Sequence, residues 1–200
     1  MTADEVLAEY KKNEMFYKNG GITVTGGEPL LQIDFLTELF AKAKKEGIHT
    51  CIDTSGITYD ENDSKYLSKL NELMKNTDLV MLDIKHIDPE KHKILTGFDN
   101  DRILAFARYL EAKNIPTWIR HVIVEGYTND EKDLFTLGEF IGSLKNVKVL
   151  DVLPYHTMGA SKYKELGIKY RLEGISALSK TAAAQAKAKI LEGIRKTRTK

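Results

Sequence analysis

The sequence predicts an α/β fold with a parallel sheet of about five strands and helical crossovers. Short apolar runs rich in β-branched residues alternate along the chain with segments of helical periodicity, which is typical of this class. No repeat, low-complexity block or linker divides the 200 residues, and 42% of them are hydrophobic. The chain is therefore long and apolar enough to bury a core, and we expect one domain over residues 1–194, followed by a frayed basic tail over 195–200.

The individual elements follow from apolar spacing and from residues typical of helix ends. In chain order we expect helix 2–17, strand 21–25, helix 34–45, strand 49–53, helix 63–75, strand 78–84, helix 88–95, helix 100–113, strand 116–124, helix 131–144, strand 147–153 and helix 177–194. Residues 34–45 carry an apolar stripe of helical period, and Gly47 is suited to end that helix. Asp88 and Pro89 suit the first turn of a helix. The mostly apolar run 78–84 suits a strand covered on both faces.

Charge and hydropathy exclude two broad classes of function. The sequence has 30 Lys and Arg against 29 Asp and Glu, a net charge of +1. Such a chain offers no large positive field for nucleic acid. No apolar run approaches the roughly 20 residues of a membrane span. Residues 1–16 alternate acids and bases without the apolar core of a secretion signal, so we expect a cytoplasmic protein.

Cys51 is the one cysteine of the sequence. One thiol cannot form an internal disulfide, a four-thiolate zinc site or an iron–sulfur cluster held by three or four cysteines. Its position inside a predicted strand indicates a small buried apolar side chain.

Polar residues follow or end each predicted strand, where parallel α/β folds place their chemistry. In order they are Gly26-Gly27-Glu28-Pro29, Asp53-Thr54-Ser55-Gly56, Asp83-Ile84-Lys85, Arg120 and Tyr155-His156. Because side chains alternate along a strand, Met81, Asp83 and Lys85 share one face. Arg120 likewise shares a face with Trp118 and Val122.

These strand ends suit a ligand that carries both a carboxylate and an ammonium group. Lys85 and Arg120 are candidates to hold the carboxylate. Asp83 and the carbonyls around Gly26 and Gly27 are candidates to accept from the ammonium, since bare glycine backbone allows close approach.

Two further strand-end residues are candidates for binding, and several of the candidates also have a purely structural explanation. Tyr155 and His156 are candidates to flank a flat heterocycle. Structurally, Gly26 and Gly27 would form only a tight turn, Asp53 and Asp83 would be helix caps, and Lys85 and His156 would be solvated. His49, His86, His92 and His121 show no metal-ligand spacing as a set.

Five motifs in a consistent order carry a family resemblance. GGEP, DTSG, VMLDIK, WIR and LPYH resemble radical S-adenosylmethionine enzymes. The stretches HTCIDTSG and PYHTMGASKYKELGIKY are especially similar to the members that activate pyruvate formate-lyase. The resemblance runs from about residue 3 to about residue 175.

This resemblance implies a fold and a chemistry. The implied fold is an incomplete (β/α)6 partial barrel. Family members use a 4Fe-4S cluster and S-adenosylmethionine to form a 5′-deoxyadenosyl radical, which takes a hydrogen atom from a glycine of pyruvate formate-lyase. A flavodoxin-type or similar reductant is the implied electron donor.

The resemblance also implies site residues, carried over motif by motif. Those expected at S-adenosylmethionine are Gly26, Gly27, Glu28, Asp83, Ile84, Lys85, Arg120 and His156. Those expected at a monovalent cation are Asp53, Thr54, Met81 and Asp83, since oxygen-rich ligation suits a hard cation.

One departure from the family is large. The cluster motif CxxxCxxC is absent from the 200 residues. About five βα units are present where six are expected, with the first unit missing. We therefore expect an N-terminally truncated member that is inactive on its own.

Two other functions remain open at this point. One is a non-catalytic module that binds S-adenosylmethionine or docks on the lyase. The other is an aldolase barrel in which Lys85, desolvated at a strand end, forms a Schiff base. Against the aldolase, no glycine-rich phosphate loop follows the last strands.

Overall fold

The computed structural model describes residues 1–17, 20–170 and 172–199. The strands are β1 (Gly21–Val24), β2 (His49–Thr54), β3 (Leu79–Asp83), β4 (Thr117–Ile123) and β5 (Val147–Pro154). The helices are α1 (Ala3–Lys12), α2 (Ile33–Lys45), α3 (Ser64–Met74), α4 (Pro89–Thr96), α5 (Asp101–Ala112), α6 (Glu131–Gly142), α7 (Ala160–Glu165) and α8 (Lys180–Arg198). Short 3-10 turns lie at Glu14–Phe16, Pro29–Gln32 and Thr157–Gly159.

The strands form one sheet in the order β1-β2-β3-β4-β5, so the predicted α/β class is confirmed. β1 and β2 are parallel, as are β2 and β3, with Asp53 opposite Met81. Each strand pairs with the next one in sequence, and each of the last four is separated from the strand before it by at least one helix. This arrangement is the one that strand–helix–strand crossovers produce.

Local sequence signals account for where most helices begin and end. Thr2 and Glu5 form a reciprocal capping box at the start of α1. Asp63, Asp88 and Asp130 each cap the helix that follows with a side-chain oxygen. These caps satisfy N–H groups that have no partner within the helix, which is why Asp is favoured there.

Both ends of the chain differ from the prediction. The helix expected over 2–17 ends at Lys12 and is followed by the 3-10 turn Glu14–Phe16. The helix expected over 177–194 runs from Lys180 to Arg198, so residues 195–198 are helical where a frayed tail was expected. Lys196 pairs with Glu139 at 2.9 Å, which helps to hold this last turn against α6.

Contacts group the chain into two compact units. The N-terminal unit is Met1–Asp83 with Arg102–Trp118, and the C-terminal unit is Ile84–Asp101 with Ile119–Lys200. Fully buried side chains of the N-terminal unit include Phe40, Ile52, Leu70, Leu82, Phe106 and Leu110. Those of the C-terminal unit include Ile84, Ile119, Ile123, Leu137, Ile141 and Ile190. Over the residues described, no helix combines the length and apolar character needed to cross a bilayer.

Candidate functional site

In the N-terminal unit, Glu28 clamps the loop after β1 to the end of β2. Its Oε1 accepts from the Thr54 hydroxyl at 2.6 Å and from the Leu30 N–H at 3.1 Å. Its Oε2 accepts from the Ser55 hydroxyl at 2.6 Å and from the Ser55 N–H at 3.1 Å. With both carboxylate oxygens doubly engaged, Glu28 shapes the loop that carries Gly26 and Gly27.

The glycine pair ahead of Glu28 presents open backbone. Gly26 has φ of +135°, a conformation that a residue with a Cβ rarely adopts. A Cβ built on Gly26 or on Gly27 would meet no atom within 4 Å. Space therefore exists over both peptide groups for a ligand to approach them closely.

Two carboxylates share one face of the β2–β3 pair. Asp53 and Met81 are direct register partners, and Asp83 follows two residues later on the same face. Thr54 pairs with Leu82 and is buried on the opposite face, where its hydroxyl reaches Glu28. Of the residues predicted at a cation, Asp53, Met81 and Asp83 are thus brought to one face, whereas the Thr54 side chain is not.

In the C-terminal unit, Lys85 lines a cavity of about 540 Å³. That volume lies in the range of small-molecule sites, about 300 to 1,000 Å³. The lining residues are Lys85, Leu95, Thr96, Val122, Val124, Tyr155, Tyr163, Ile168, Lys169, Tyr170 and Leu172. They supply aliphatic surface, three phenol rings and two ammonium groups, but no carboxylate. This wall suits a ligand with a flat apolar part and a negative charge.

Arg120 lies on the less buried face of β4, as the alternation predicts. Trp118, Arg120 and Val122 are partly exposed, whereas Ile119, His121 and Ile123 are buried. The guanidinium Nε lies 3.8 Å from Oδ2 of Asp151 on β5. Arg120 is therefore an oriented cation, and Asp151 offsets part of its charge.

Three tyrosines that line the cavity contact one another. The hydroxyls of Tyr155 and Tyr170 are 2.7 Å apart, and the ring of Tyr163 lies 4.9 Å from that of Tyr170. Burial, together with the hydrogen bond to Tyr155, raises the pKa of Tyr170 to about 12. The Tyr170 phenol thus stays protonated at neutral pH, and the pair holds residues 155 and 170 together.

The two residues predicted to flank a heterocycle differ in their surroundings. Tyr155 lines the cavity, whereas its neighbour His156 is exposed. Asp151 was missed, because β5 does not alternate regularly between apolar and polar residues or between buried and exposed ones. Tyr163, Lys169 and Tyr170 were also missed, because a loop and a short helix give no periodicity from which to assign a face.

Comparison with known proteins gives consistent results. The model of the Radical SAM superfamily matches residues 1–137. The pyruvate formate-lyase-activating enzyme of Streptococcus mutans is 53% identical over 175 residues, which are 87% of this chain and 66% of that protein. The enzyme of the same name from Listeria monocytogenes serovar 1/2a is 51% identical over 193 residues, 96% of this chain and 77% of that protein. The chain thus spans about two thirds to three quarters of these relatives' length.

A solved structure agrees with these relatives. A domain of the pyruvate-formate lyase-activating enzyme from Bacteroides vulgatus superposes with a TM-score of 0.69 at 26% identity. The match covers 88% of this chain and 95% of that one.

Proposed function

Because this chain belongs to the radical SAM superfamily and, at 51% identity over 193 residues, to its pyruvate formate-lyase-activating enzymes, we propose that it is the S-adenosylmethionine-binding part of such an activator. The proposed target is a glycine of pyruvate formate-lyase, and the proposed setting is the cytoplasm with a flavodoxin-type reductant. The observation that carries the proposal is the identity to activators over 96% of the chain.

The C-terminal unit fits the anionic and apolar parts of S-adenosylmethionine. The cavity offers aromatic and aliphatic walls for an adenosyl group, with Tyr155 and Val122 among them. Lys85 on the same wall is suited to the methionine carboxylate, since an ammonium donates charge-assisted hydrogen bonds to it. Arg120 is assigned as a second cation for that group, Ile84 as a residue that lines the site, and His156 as a contact of the adenosyl part.

The N-terminal unit carries the other residues that the family resemblance assigns to S-adenosylmethionine. The peptide groups at Gly26 and Gly27 are open to a ligand, and their carbonyls are suited to accept from its ammonium. Asp83 is assigned to the same task, and Glu28 contributes by holding the loop. Asp83 is also assigned to a monovalent cation, together with Asp53 and with oxygen atoms of Thr54 and Met81.

An iron–sulfur cluster does not fit the residues of this chain. Clusters of the 4Fe-4S kind are held by three or four thiolates. The 200 residues contain Cys51 alone, and it is buried within β2. We therefore assign binding of S-adenosylmethionine to these residues and no cleavage step. When bound in this family, S-adenosylmethionine supplies the radical that takes a hydrogen atom from the target glycine.

Calorimetric titration of the purified, iron-free chain with S-adenosylmethionine tests the proposal. We expect one site per chain, and we expect Lys85→Met to weaken binding about tenfold, as loss of a hydrogen bond to a charged group does. Lys148→Met, on an exposed lysine of β5, is the matched control and should bind like the parent. Absence of binding by the parent would overturn the proposal. Borohydride trapping of a carbonyl substrate on Lys85 would instead support the aldolase.

A further inference from the structure

The backbone leaves the sheet at Ile84, just before Lys85, and side chains replace the hydrogen bonds of the ladder there. The Ile84 N–H still donates to the carbonyl of Arg120 at 3.0 Å. The Ile84 carbonyl accepts from ring Nδ1 of His121 at 2.7 Å. Ile84 is fully buried and His121 is 3% exposed, so water does not compete for this carbonyl. A buried carbonyl without such a donor would be costly.

The next carbonyls are held in the same way. The Asn100 amide Nδ2 donates to the carbonyls of His86 and Ile87 at 2.9 and 2.7 Å, and Asn100 is 1% exposed. The Asp88 N–H donates to Nδ1 of the buried His86 at 3.0 Å. Residues 84–88 therefore form a turn whose backbone is fixed by buried side chains.

We propose that His121 is a positioning residue that holds Lys85 at the wall of the cavity. The Ile84 carbonyl and the Lys85 N–H belong to one planar peptide group. A hydrogen bond that fixes the carbonyl therefore fixes the plane from which the Lys85 side chain starts. What Lys85 binds rests on the proposed function, whereas its placement by His121 does not.

The hydrogen bond from His121 to the Ile84 carbonyl determines which substitutions of His121 test the positioning role. A carbonyl only accepts, so Nδ1 of His121 carries the hydrogen atom. Burial lowers the pKa of His121, and the ring is neutral at pH 7. Leucine has a similar size but no donor. Asparagine places an amide N–H₂ close to where Nδ1 stands, so it is the conservative replacement.

A double-mutant cycle with calorimetric titration of S-adenosylmethionine tests the proposal. We expect His121→Leu to weaken binding about tenfold, in line with coupling between linked residues. His121→Asn should recover most of that affinity. In a Lys85→Met background, His121→Leu should have no further effect. Gly193→Ala lowers stability at the contact between α6 and α8, outside residues 84–88, and serves as the control that leaves binding unchanged.

A second measurement reads the placement of Lys85 without any ligand. Reductive methylation with ¹³C gives each lysine an NMR signal, and loss of one signal in Lys85→Arg assigns it. We expect the Lys85 signal to move toward that of a solvated lysine in His121→Leu and to return in His121→Asn. An unmoved Lys85 signal in His121→Leu, or equal weakening of binding in both backgrounds of the cycle, would overturn the positioning role. If the parent chain does not bind S-adenosylmethionine, the proposed function fails, and the NMR signal still decides the role of His121.

Discussion

At the scale of single residues, Glu28 accepts four hydrogen bonds, two on each carboxylate oxygen. The donors come from Leu30, in the 3-10 turn Pro29–Gln32 that Glu28 caps, and from Thr54 and Ser55 at the end of β2. Two of them are N–H groups of the main chain, so the clamp fixes backbone as well as side chains. The glycine pair just before Glu28 is held in place as a consequence.

Replacing Glu28 by glutamine is expected to destabilise the fold. The amide nitrogen of glutamine cannot accept, so either the Ser55 pair of donors or the Thr54 and Leu30 pair loses its acceptor. The free energy of unfolding, measured by urea denaturation, should fall by about 1 to 3 kcal/mol. Glu38→Gln removes a carboxylate that pairs with Lys42 on the exposed face of α2, and should change it by less than about 1 kcal/mol. Equal stabilities for the two variants would contradict the clamp.

Two buried histidines predict how stability depends on pH. Burial lowers the pKa of His86 and of His121 below 6.5, although Asp133 opposes the shift at His86 from 3.6 Å. The unfolded chain therefore takes up protons first as the pH falls through about 6.5. Stability is complete above that pH and declines below it, by up to about 1.4 kcal/mol per pH unit for each histidine.

Urea denaturation at a series of pH values between about 7 and 5 measures this slope. His121→Asn should make this dependence of the free energy of unfolding on pH shallower, because one histidine fewer then takes up a proton on unfolding. If His121→Asn left the slope unaltered, His121 would titrate alike in the folded and unfolded chain, which would contradict this prediction.

At the scale of elements, α6 and α8 approach each other closely through glycines. A Cβ on Gly193 would lie 2.2 Å from the Phe135 carbonyl oxygen and 2.9 Å from the Glu139 nitrogen. A Cβ on Gly138 would lie 2.1 Å from the carbonyl oxygen of Ile190. Both clashes are with backbone, which cannot swing aside as a flexible side chain can. Glycine at these positions thus sets the distance between the two helices.

Gly193→Ala is therefore expected to push α8 away from α6. Overpacking of this kind costs about 1 to 3 kcal/mol, even though alanine is the better helix former. Thermal denaturation followed by circular dichroism should show a lower midpoint. Ala188→Ser, on the exposed side of α8, should change stability by about 0.5 kcal/mol or less. A Gly193→Ala protein as stable as the parent would contradict the close approach.

Elements with a strong local signal could be predicted from the sequence, and the others could not. The span of α2 was predicted almost to the residue, because Gly47 at φ of +75° ends it and the apolar stripe runs its full length. The far end of α8 was missed, because its last turn rests on the pairing of Lys196 with Glu139 and the ring of Phe135, which are contacts distant in sequence. Helix α7 was missed because six residues carry too little periodicity.

In the candidate site, too, local patterns could be predicted from the sequence, whereas contacts between residues distant in sequence could not. Strand parity predicts that Met81, Asp83 and Lys85 share one face, because alternation is a property of each strand alone. That Asp53 lies opposite Met81 follows from the register of β2 and β3, which parity does not give. The supporting contacts of Glu28 and His121 required knowledge of which loops and strands meet. Single-residue patterns do not contain that information.

At the scale of the whole molecule, the cysteine content decides what chemistry these 200 residues can hold. Relatives that are 51 to 53% identical to this chain are named pyruvate formate-lyase-activating enzymes. This chain, however, has one thiol, that of Cys51. Anaerobic reconstitution with iron and sulfide should therefore give no stoichiometric 4Fe-4S cluster, as judged by iron content and visible absorbance. Four irons per chain would contradict this prediction.

The proposed function depends on binding of S-adenosylmethionine by this chain, with Lys85 at the cavity of its C-terminal unit. A crystal structure of the iron-free chain grown with S-adenosylmethionine tests it most directly. We expect adenosyl density against Tyr155 and Val122, with the methionine carboxylate within hydrogen-bonding distance of the Lys85 ammonium. A cavity without density for the ligand, or a ligand bound away from Lys85, would contradict it.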